Sequence, residues 1–305
     1  MSNAPIVSLR DVGKMYGGDW ALRSISLELP AGARIGLVGP NGSGKTTLMS
    51  ILAGLIPSHA GHVTWHYAGS EKYPWRYSPQ DPDFPRRTTV SQLVNFYGRL
   101  DGFSGHSLEQ EVQRVLQAVA LWEQREKKAF ALSHGMKKRL SIAQAMIGSR
   151  PFIMLDEPTA GLDPKNAAQI RNAVIAKAPS QTLMISSHNL SEIEDCCDYI
   201  LVLEDGELRA FDSMAGYTRS DETLELMAEN LMSSELVQAL GTIRGVSTVN
   251  ISSEGRSATL LLGENETQEV MSAVMGCFAE HGNQIAQIRK GSNVAARFLS
   301  DSDAE

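Results

Sequence analysis

The sequence predicts an α/β domain with a largely parallel sheet, followed by a small α+β domain at the carboxyl end. Three observations lead to this prediction. Apolar strands alternate with segments of helical spacing over the first 219 residues, which is typical of a sheet covered by helices. A glycine-rich turn joins one apolar strand directly to a helix. Residues 220–305 differ from the rest of the chain in net charge and in the order of their predicted strands and helices.

The larger domain begins with predicted strands. "IVSLRDVGKMY" alternates apolar and polar residues, and "WALRSISLELPAG" is a second strand that ends at a Pro-Ala-Gly turn. "ARIGLVG" is a short apolar strand that leads into "PNGSGKTTLMSILAG", where the apolar spacing changes to that of a helix. A strand, a glycine-rich turn and a helix therefore follow one another without a break.

The rest of the larger domain is predicted to be a helical insertion and then a return to the sheet. Residues 86–148 contain segments with apolar residues at helical spacing, separated by Gly, Ser and Pro. The later strands are predicted at "FIMLDEP", "TLMISSH", "YILVLEDG" and "ELRAF". The domain thus combines a sheet core with a helical subdomain.

Residues 220–305 predict a separate accessory domain. Their apolar patterns give the order β-α-β-β-α-β, which is the ferredoxin-like order. This region holds 13 Asp and Glu against 5 Lys and Arg, a balance of -8 within a net charge of -7 for the whole chain. An acidic region is a poor partner for nucleic acid or anionic lipid. We therefore place a domain boundary after residue 219 and expect no nucleic-acid partner.

Composition is that of a soluble globular protein, with 42% hydrophobic and 21% charged residues in 305. No apolar run approaches the roughly 18 residues needed to cross a bilayer. Met1 to Arg10 lacks the pattern of a secretory signal, so we expect the chain in the cytosol. Its 3 cysteines have neither the number nor the spacing of a disulfide framework or a zinc site.

A phosphate-binding loop is predicted at "GPNGSGKT", which matches G-x-x-x-x-G-K-T between a strand and a helix. Its glycines let backbone N–H groups wrap the phosphates, and Lys45 adds a mobile positive charge. The Thr46 hydroxyl is placed to bind Mg²⁺. The candidate nucleotide-binding residues of this segment are Gly39, Pro40, Asn41, Gly42, Ser43, Gly44, Lys45, Thr46 and Thr47.

Two carboxylates end the apolar strand "FIMLDEP". Asp156 is a candidate to hold Mg²⁺, directly or through water. Glu157 is a candidate to orient and deprotonate the water that attacks the γ-phosphate. An apolar strand that ends in Asp-Glu is weak evidence alone, but its pairing with a phosphate loop favours this interpretation.

With these motifs in order, residues 5–218 resemble the nucleotide-binding subunits of ATP-binding cassette (ABC) transporters. The resemblance implies the ABC type of P-loop NTPase fold and ATP hydrolysis with Mg²⁺. Tyr16 matches the aromatic residue that stacks on adenine in this family. Gln80, which lies 35 residues after Lys45, matches the Q-loop residue that reaches Mg²⁺ and the attacking water. His188 matches the switch histidine that contacts the γ-phosphate.

The stretch "LSHGMKKRLSIAQ" lies 23 residues before "DEP" when counted from Ser133 to Asp156. Its basic residues, near the start of a predicted helix, allow two interpretations: a solvated helix face, or a helix start that faces an anion. It resembles the family's LSGGQ signature, with departures at His134 and Met136. In the family this helix start caps an ATP bound to the opposite protomer, which assigns nucleotide contacts to Ser133 and Gly135. Asp163, in "TAGLDP", matches the D-loop that couples the two sites.

The resemblance implies a homodimer or heterodimer of nucleotide-binding domains and a separate membrane permease as partners. The chain would then be peripheral on the cytoplasmic face of the membrane, with docking near the Q-loop and Arg86, Arg87 and Phe96. The closing segment "NVAARFLS" resembles the closing helix of drug- and antibiotic-export ATPases, which favours export. The alternative is a soluble ABC-type ATPase that acts on ribosomes or DNA. The chain has one phosphate loop and no long coiled-coil insertion, which argues against that alternative.

Overall fold

A computed structural model of the chain describes residues 4–67, 69, 73–175, 181–188, 190–219, 222–252, 255–262 and 267–292. The segment "NVAARFLS" lies outside these residues. Backbone contacts divide the chain into two compact units, residues 1–212 and 213–305. The boundary inferred from charge lies after residue 219. Each unit is described separately below.

Strands of the larger unit form two sheets. In chain order they are β1 (Pro5–Tyr16), β2 (Asp19–Pro30), β3 (Arg34–Val38), β4 (Ala60–Trp65), β5 (Trp75–Ser78), β6 (Phe152–Leu155), β7 (Thr182–Ser187), β8 (Tyr199–Glu204) and β9 (Glu207–Ser213). The described strands give a six-stranded sheet, β5-β6-β7-β3-β8-β9, and a three-stranded sheet, β2-β1-β4. All pairings from β5 through β8 are parallel, as predicted.

One apolar core joins these two sheets. Leu9 and Leu29 come from the antiparallel sheet, Ile35 and Met154 come from the parallel sheet, and all belong to the same buried cluster. Strands β6 and β7 are buried along their whole length. This explains why they read as continuous apolar runs, because both faces of a parallel sheet are covered.

Helices of the larger unit are α1 (Lys45–Leu52), α2 (Val90–Leu100), α3 (Gly105–Ala118), α4 (His134–Met146), α5 (Pro164–Ile175) and α6 (Leu190–Cys196). Helices α2, α3 and α4 lie within the predicted helical insertion. Thr89 and Gln92 form a capping box at the start of α2, which satisfies backbone N–H groups that no turn of the helix can reach. None of the described helices is both long enough and apolar enough to span a membrane.

Sequence reasoning did not identify β4, β5 or α5. Strand β4 is exposed or half-buried along its length and β5 has 4 residues, so neither gives a clear periodic signal. Helix α5 buries only three side chains, Ala167, Ile170 and Val174. An apolar stripe this sparse is weak evidence for a helix when it is read from one sequence.

The smaller unit begins with α7 (Met214–Arg219) and continues with β10 (Glu222–Ala228), α8 (Ser234–Gly241), β11 (Val246–Ile251), β12 (Ser257–Leu262), α9 (Thr267–Glu280) and β13 (Ile285–Ser292). Its sheet has the order β11-β12-β10-β13 with antiparallel pairing throughout. Leu226, Leu260, Leu236 and Phe278 lie in one buried cluster between the sheet and the helices. After α7, the described elements of this unit follow the order β-α-β-β-α-β.

Candidate functional site

Most of the predicted site residues converge on one cleft in the larger unit. The cleft has a volume of about 360 Å³, within the range of small-ligand sites. It lies where β3 ends and α1 begins. Its lining residues are Tyr16, Ala21, Asn41, Gly42, Gly44, Lys45, Thr46, Thr47, Gln80, Glu157, Ala160 and His188.

Glycines determine the path of the loop between β3 and α1. A Cβ on Gly39 would collide with the carbonyl oxygen of Leu203. Gly44 has φ +99°, and a Cβ there would lie 2.5 Å from the Ala21 carbonyl oxygen. Gly42 has φ +86° with open space around the position of its missing side chain. Positive φ favours glycine, so the loop can wrap tightly and still leave its backbone accessible to a ligand.

Lys45 begins α1, and its side chain turns back across the loop. Its Nζ donates to the carbonyl oxygens of Gly39, at 2.7 Å, and Pro40, at 2.9 Å. Burial lowers the pKa of Lys45, while the negative charges of Glu157 and Asp156 act in the opposite direction. A buried cation therefore lies beside the phosphate loop and opposite two carboxylates.

Asp156 follows β6 and is 2% exposed. Ser186 Oγ donates to its Oδ1 at 2.6 Å, and the Tyr77 hydroxyl donates to its Oδ2 at 3.1 Å. Burial, with the charge of Asp156, raises the pKa of Tyr77, so this phenol remains a donor. Both oxygens of Asp156 are thus oriented by hydroxyl groups from the neighbouring strands β5 and β7.

Glu157 and His188 meet at the edge of the cleft. His188 Nδ1 lies 2.9 Å from Glu157 Oε2. Because an ionised carboxylate only accepts hydrogen bonds, the imidazole must donate at Nδ1. The Glu157 side chain is 7% exposed and that of His188 is 60% exposed, so the pair joins a buried carboxylate to an accessible ring.

The segment resembling LSGGQ forms the start of α4, outside the cleft lining. Ser133 caps this helix, because its hydroxyl accepts a hydrogen bond from the Met136 backbone N–H at 3.3 Å. A Cβ on Gly135 would meet only Leu162, at 3.0 Å. This helix start therefore has a capped backbone and little side-chain cover.

Two of the basic residues of α4, Lys138 and Arg139, donate to backbone carbonyl oxygens. Lys138 is buried, and its Nζ donates to the carbonyl oxygens of Glu157, at 3.2 Å, and Ala160, at 2.6 Å. Arg139 donates to the carbonyl oxygens of Val119 and Ala120. These two side chains therefore bind backbone within the same chain, and they are neither simply solvated nor free to face an anion.

Asp163 also lies outside the cleft lining, at the start of α5. Its carboxylate accepts hydrogen bonds from the Asn166 backbone N–H, at 3.0 Å, and from the Asn166 side chain. These hydrogen bonds lower the pKa of Asp163. The observed contact of this carboxylate is the capping of its own helix.

Three residues of the site were missed by sequence reasoning: Tyr77, Ser186 and Lys138. The first two lie in predicted or observed strands beside the motif residues, in "RYSPQ" and "MISSH". Their hydroxyls differ from the apolar residues that a buried strand otherwise carries, and this was the available signal. Lys138 gave no comparable signal, because lysine on a helix is usually exposed.

Comparisons with known proteins agree with one another on the family of this chain. The family model described as ABC transporter matches residues 22–160. The ABC transporter ATP-binding protein YdbJ of Bacillus subtilis is 34% identical, with 72% of each chain covered. The linearmycin resistance ATP-binding protein LnrL of the same organism is 26% identical over 97% of each chain.

A solved structure shows the same fold. It is a dimeric post-hydrolysis state of the ATP-binding cassette MJ0796 bound to ADP and Pi, with a TM-score of 0.62 and 22% identity. The match covers 68% of this chain and 98% of that one. Together with the motifs that meet at one cleft and the identity to YdbJ, these matches establish the family: the chain belongs to the ABC transporter ATPases, as an ATP-binding subunit.

Proposed function

We propose that the chain binds MgATP in the cleft beside α1, hydrolyses it there, and uses the cycle to drive a separate membrane permease. The observation that carries the proposal is the meeting of Lys45, Glu157 and His188 around one cleft behind a glycine-rich loop. A cation and N–H groups on one side suit phosphates, and a hydrogen-bonded carboxylate on the other suits the activation of water.

Nucleotide binding is assigned along the length of the cleft. Tyr16 is 52% exposed and lines it, which leaves a ring face free to stack on adenine. The phosphates follow toward Gly42, Gly44 and the amino group of Lys45. The rest of the proposed nucleotide site is the remainder of the loop, Gly39, Pro40 and Ser43. The cleft is also lined by Asn41, Thr46 and Thr47.

The oxygen donors near the phosphates fit Mg²⁺. A hydroxyl of Thr46, the amide of Gln80 and the carboxylate of Asp156 are hard ligands of the kind that this ion prefers. The described residues hold no cluster of three His, Cys, Asp or Glu that could bind a metal ion. An ion held by these residues would neutralise charge on the phosphates. Each oxygen of Asp156 accepts one hydroxyl and keeps a further lone pair, so its contact with the ion is proposed to be direct or through water.

Hydrolysis is assigned to Glu157 as the base. Its Oε2 accepts a hydrogen bond from His188, which orients the carboxylate and leaves the other oxygen to take a proton from water. The exposed ring of His188 can then contact the γ-phosphate, and Gln80, which also lines the cleft, is assigned to orient the same water. Lys45 stabilises the charge that develops on the phosphate oxygens.

The site is proposed to be completed by a second nucleotide-binding domain. Ser133 and Gly135 present the start of α4, and Asp163 lies near the start of α5, yet none of the three lines the cleft of this chain. A helix start favours an anion. These residues are therefore assigned to the nucleotide of the partner protomer, in a homodimer or a heterodimer.

Export through a permease is proposed from the relatives and from the surface of α2. LnrL, named for linearmycin resistance, aligns over 97% of both chains and thus includes the region of the smaller unit. Phe96 is 56% exposed on α2 and marks the side where a permease would dock, with Arg86 and Arg87 nearby in sequence. The chain is then peripheral on the cytoplasmic face of the membrane. Residues 220–305 are assigned as an accessory domain.

Gly135→Asp tests the shared site. A negative charge at the start of α4 opposes the γ-phosphate of a partner's ATP, so we expect dimerisation with a non-hydrolysable ATP analogue to weaken about tenfold. Affinity of the monomer for the analogue should stay at the parent value. Light scattering after size exclusion measures the first quantity, and titration calorimetry the second. Gly276→Asp, on the exposed side of α9, is the control. If Gly135→Asp dimerised as strongly as the parent, the start of α4 could not be the part that meets the partner's nucleotide.

Membrane attachment separates the transport proposal from a soluble ATPase. In cells that make the natural partners, we expect the tagged chain in the membrane fraction, and after mild detergent extraction we expect it bound to a polytopic membrane protein. Expressed alone in another host, the same chain should remain in the soluble fraction. A soluble distribution in both hosts would favour the alternative of a soluble ABC-type ATPase.

A further inference from the structure

Lys138 is a buried cation that none of the roles above uses. It comes from the second turn of α4, is 5% exposed, and reaches out of the helix to a turn that follows β6. There its amino group donates to the carbonyl oxygens of Glu157 and Ala160, at 3.2 and 2.6 Å. These residues are the first and last of a four-residue turn, which the Ala160 N–H closes by donating to the Glu157 carbonyl oxygen at 3.3 Å. Lys138 therefore clamps both ends of the turn that carries the base.

The backbone of Glu157 needs such support. Its φ of +47° lies in the left-handed region, which disfavours residues with a Cβ and persists only where the surroundings hold it. The Glu157 N–H donates to Ser186 Oγ at 2.8 Å, and the side chain is held by His188. Lys138 adds a contact at the carbonyl oxygen, which also accepts the Ala160 N–H. The carbonyl oxygen, the N–H and the side chain of Glu157 thus each contact a different segment of the chain, through Lys138, Ser186 and His188.

Burial and nearby carboxylates act in opposite directions on the pKa of Lys138. Burial lowers the pKa of Lys138, whereas the carboxylates of Asp81, Glu157 and Asp156 act to raise it. Asp81 directly follows Gln80, and Asp156 directly precedes Glu157, so the three acids belong to the segments that supply Gln80 and Glu157 to the cleft. An ammonium group has three donors and no acceptor, which suits a position between carbonyl oxygens.

We infer that Lys138 is a positioning residue for hydrolysis, which links the position of α4 to the carboxylate of Glu157 within the same chain. The inference rests on the proposed role of Glu157 as the base. The start of α4 is also the part proposed to meet the partner's nucleotide. A shift of α4 when the partner's site is occupied would therefore change the position of Glu157 in this chain. The effect acts through the backbone of Glu157 and not through contact of Lys138 with substrate.

Lys138→Met tests this role, because methionine keeps the apolar stem and removes both hydrogen bonds. We expect kcat for ATP hydrolysis to fall about tenfold, while KM and the affinity for a non-hydrolysable ATP analogue change less than about twofold. Lys138→Gln, which keeps a donor, should give an intermediate kcat. Lys127→Met, at an exposed lysine, is the control and should match the parent. An unchanged kcat in Lys138→Met at the parent's thermal unfolding midpoint would overturn the inference.

A double-mutant cycle with Glu157→Gln distinguishes positioning from general damage. If Lys138 acts through Glu157, adding Lys138→Met to Glu157→Gln should lower the residual single-turnover rate by less than about twofold. An equal tenfold loss in both backgrounds would show an effect independent of Glu157 and would contradict the inference. The rate of Glu157→Gln alone tests the proposed function. If that variant hydrolysed ATP at the parent rate, Glu157 could not be the base. Failure of one proposal is thus distinguishable from failure of the other.

Discussion

Glu157→Gln is expected to lower ATP hydrolysis by about 10²- to 10⁴-fold, the range that a positioned general base contributes. Glutamine has nearly the same shape, so it can fill the 7% exposed site of the carboxylate. It cannot accept a proton at neutral pH, because an amide is not basic. Lys45 and the glycine loop are unchanged, so we expect ATP binding to persist. The expected product is a protein that holds ATP without consuming it.

Two measurements check this expectation. Phosphate release under saturating MgATP gives the rate, and size exclusion with ATP reports the dimer, which should accumulate in Glu157→Gln but not in the parent at steady state. Glu126→Gln, at a side chain that is 79% exposed, is the matched control and should hydrolyse ATP as the parent does. If Glu157→Gln retained the parent's rate, another group would have to be the base.

The strand, loop and helix around Lys45 were predictable because their determinants are local. The apolar run "RIGLV" leads directly to glycines whose positive φ or close approach to backbone excludes side chains, and the helix begins at Lys45. Asp156 and Glu157 were likewise placed at a strand end by the apolar run that precedes them. Where spacing along the chain sets the geometry, one sequence is enough.

The partners of these residues were not predictable in the same way. Ser186 lies 30 residues from Asp156 in the chain, and Tyr77 lies 79 residues away. Their proximity arises from the order β5-β6-β7, which brings three strands together that no short motif connects. Lys138 lies 19 residues from Glu157, and its burial depends on how α4 packs. Interactions between distant segments follow from the tertiary fold, and a motif identifies only one side of each contact.

Lys45→Met is expected to weaken ATP binding roughly 10²-fold, equivalent to about 3 kcal/mol, as for one partner lost from a hydrogen-bonded charge pair. Methionine retains the unbranched stem but removes the positive charge, so the negative charges of the phosphates lose their side-chain counterion. It also leaves the carbonyl oxygens of Gly39 and Pro40 without the donor that now binds both. The loop and its ligand therefore lose the same cation.

Calorimetric titration of the parent and of Lys45→Met with ATP measures this loss, and the thermal midpoint provides a second readout. ATP raises the parent's midpoint because it binds the folded state, and a 10²-fold weaker affinity should abolish that shift at ATP concentrations that saturate the parent. Lys128→Met is the matched control, since Lys128 also donates to a backbone carbonyl, that of Arg87 at 2.6 Å, but outside the cleft. If Lys45→Met bound ATP as tightly as the parent, the phosphates would have to lie away from Lys45. Glu157 and His188 would then lack a γ-phosphate to act on, so this one affinity constrains the placement of the whole catalytic set.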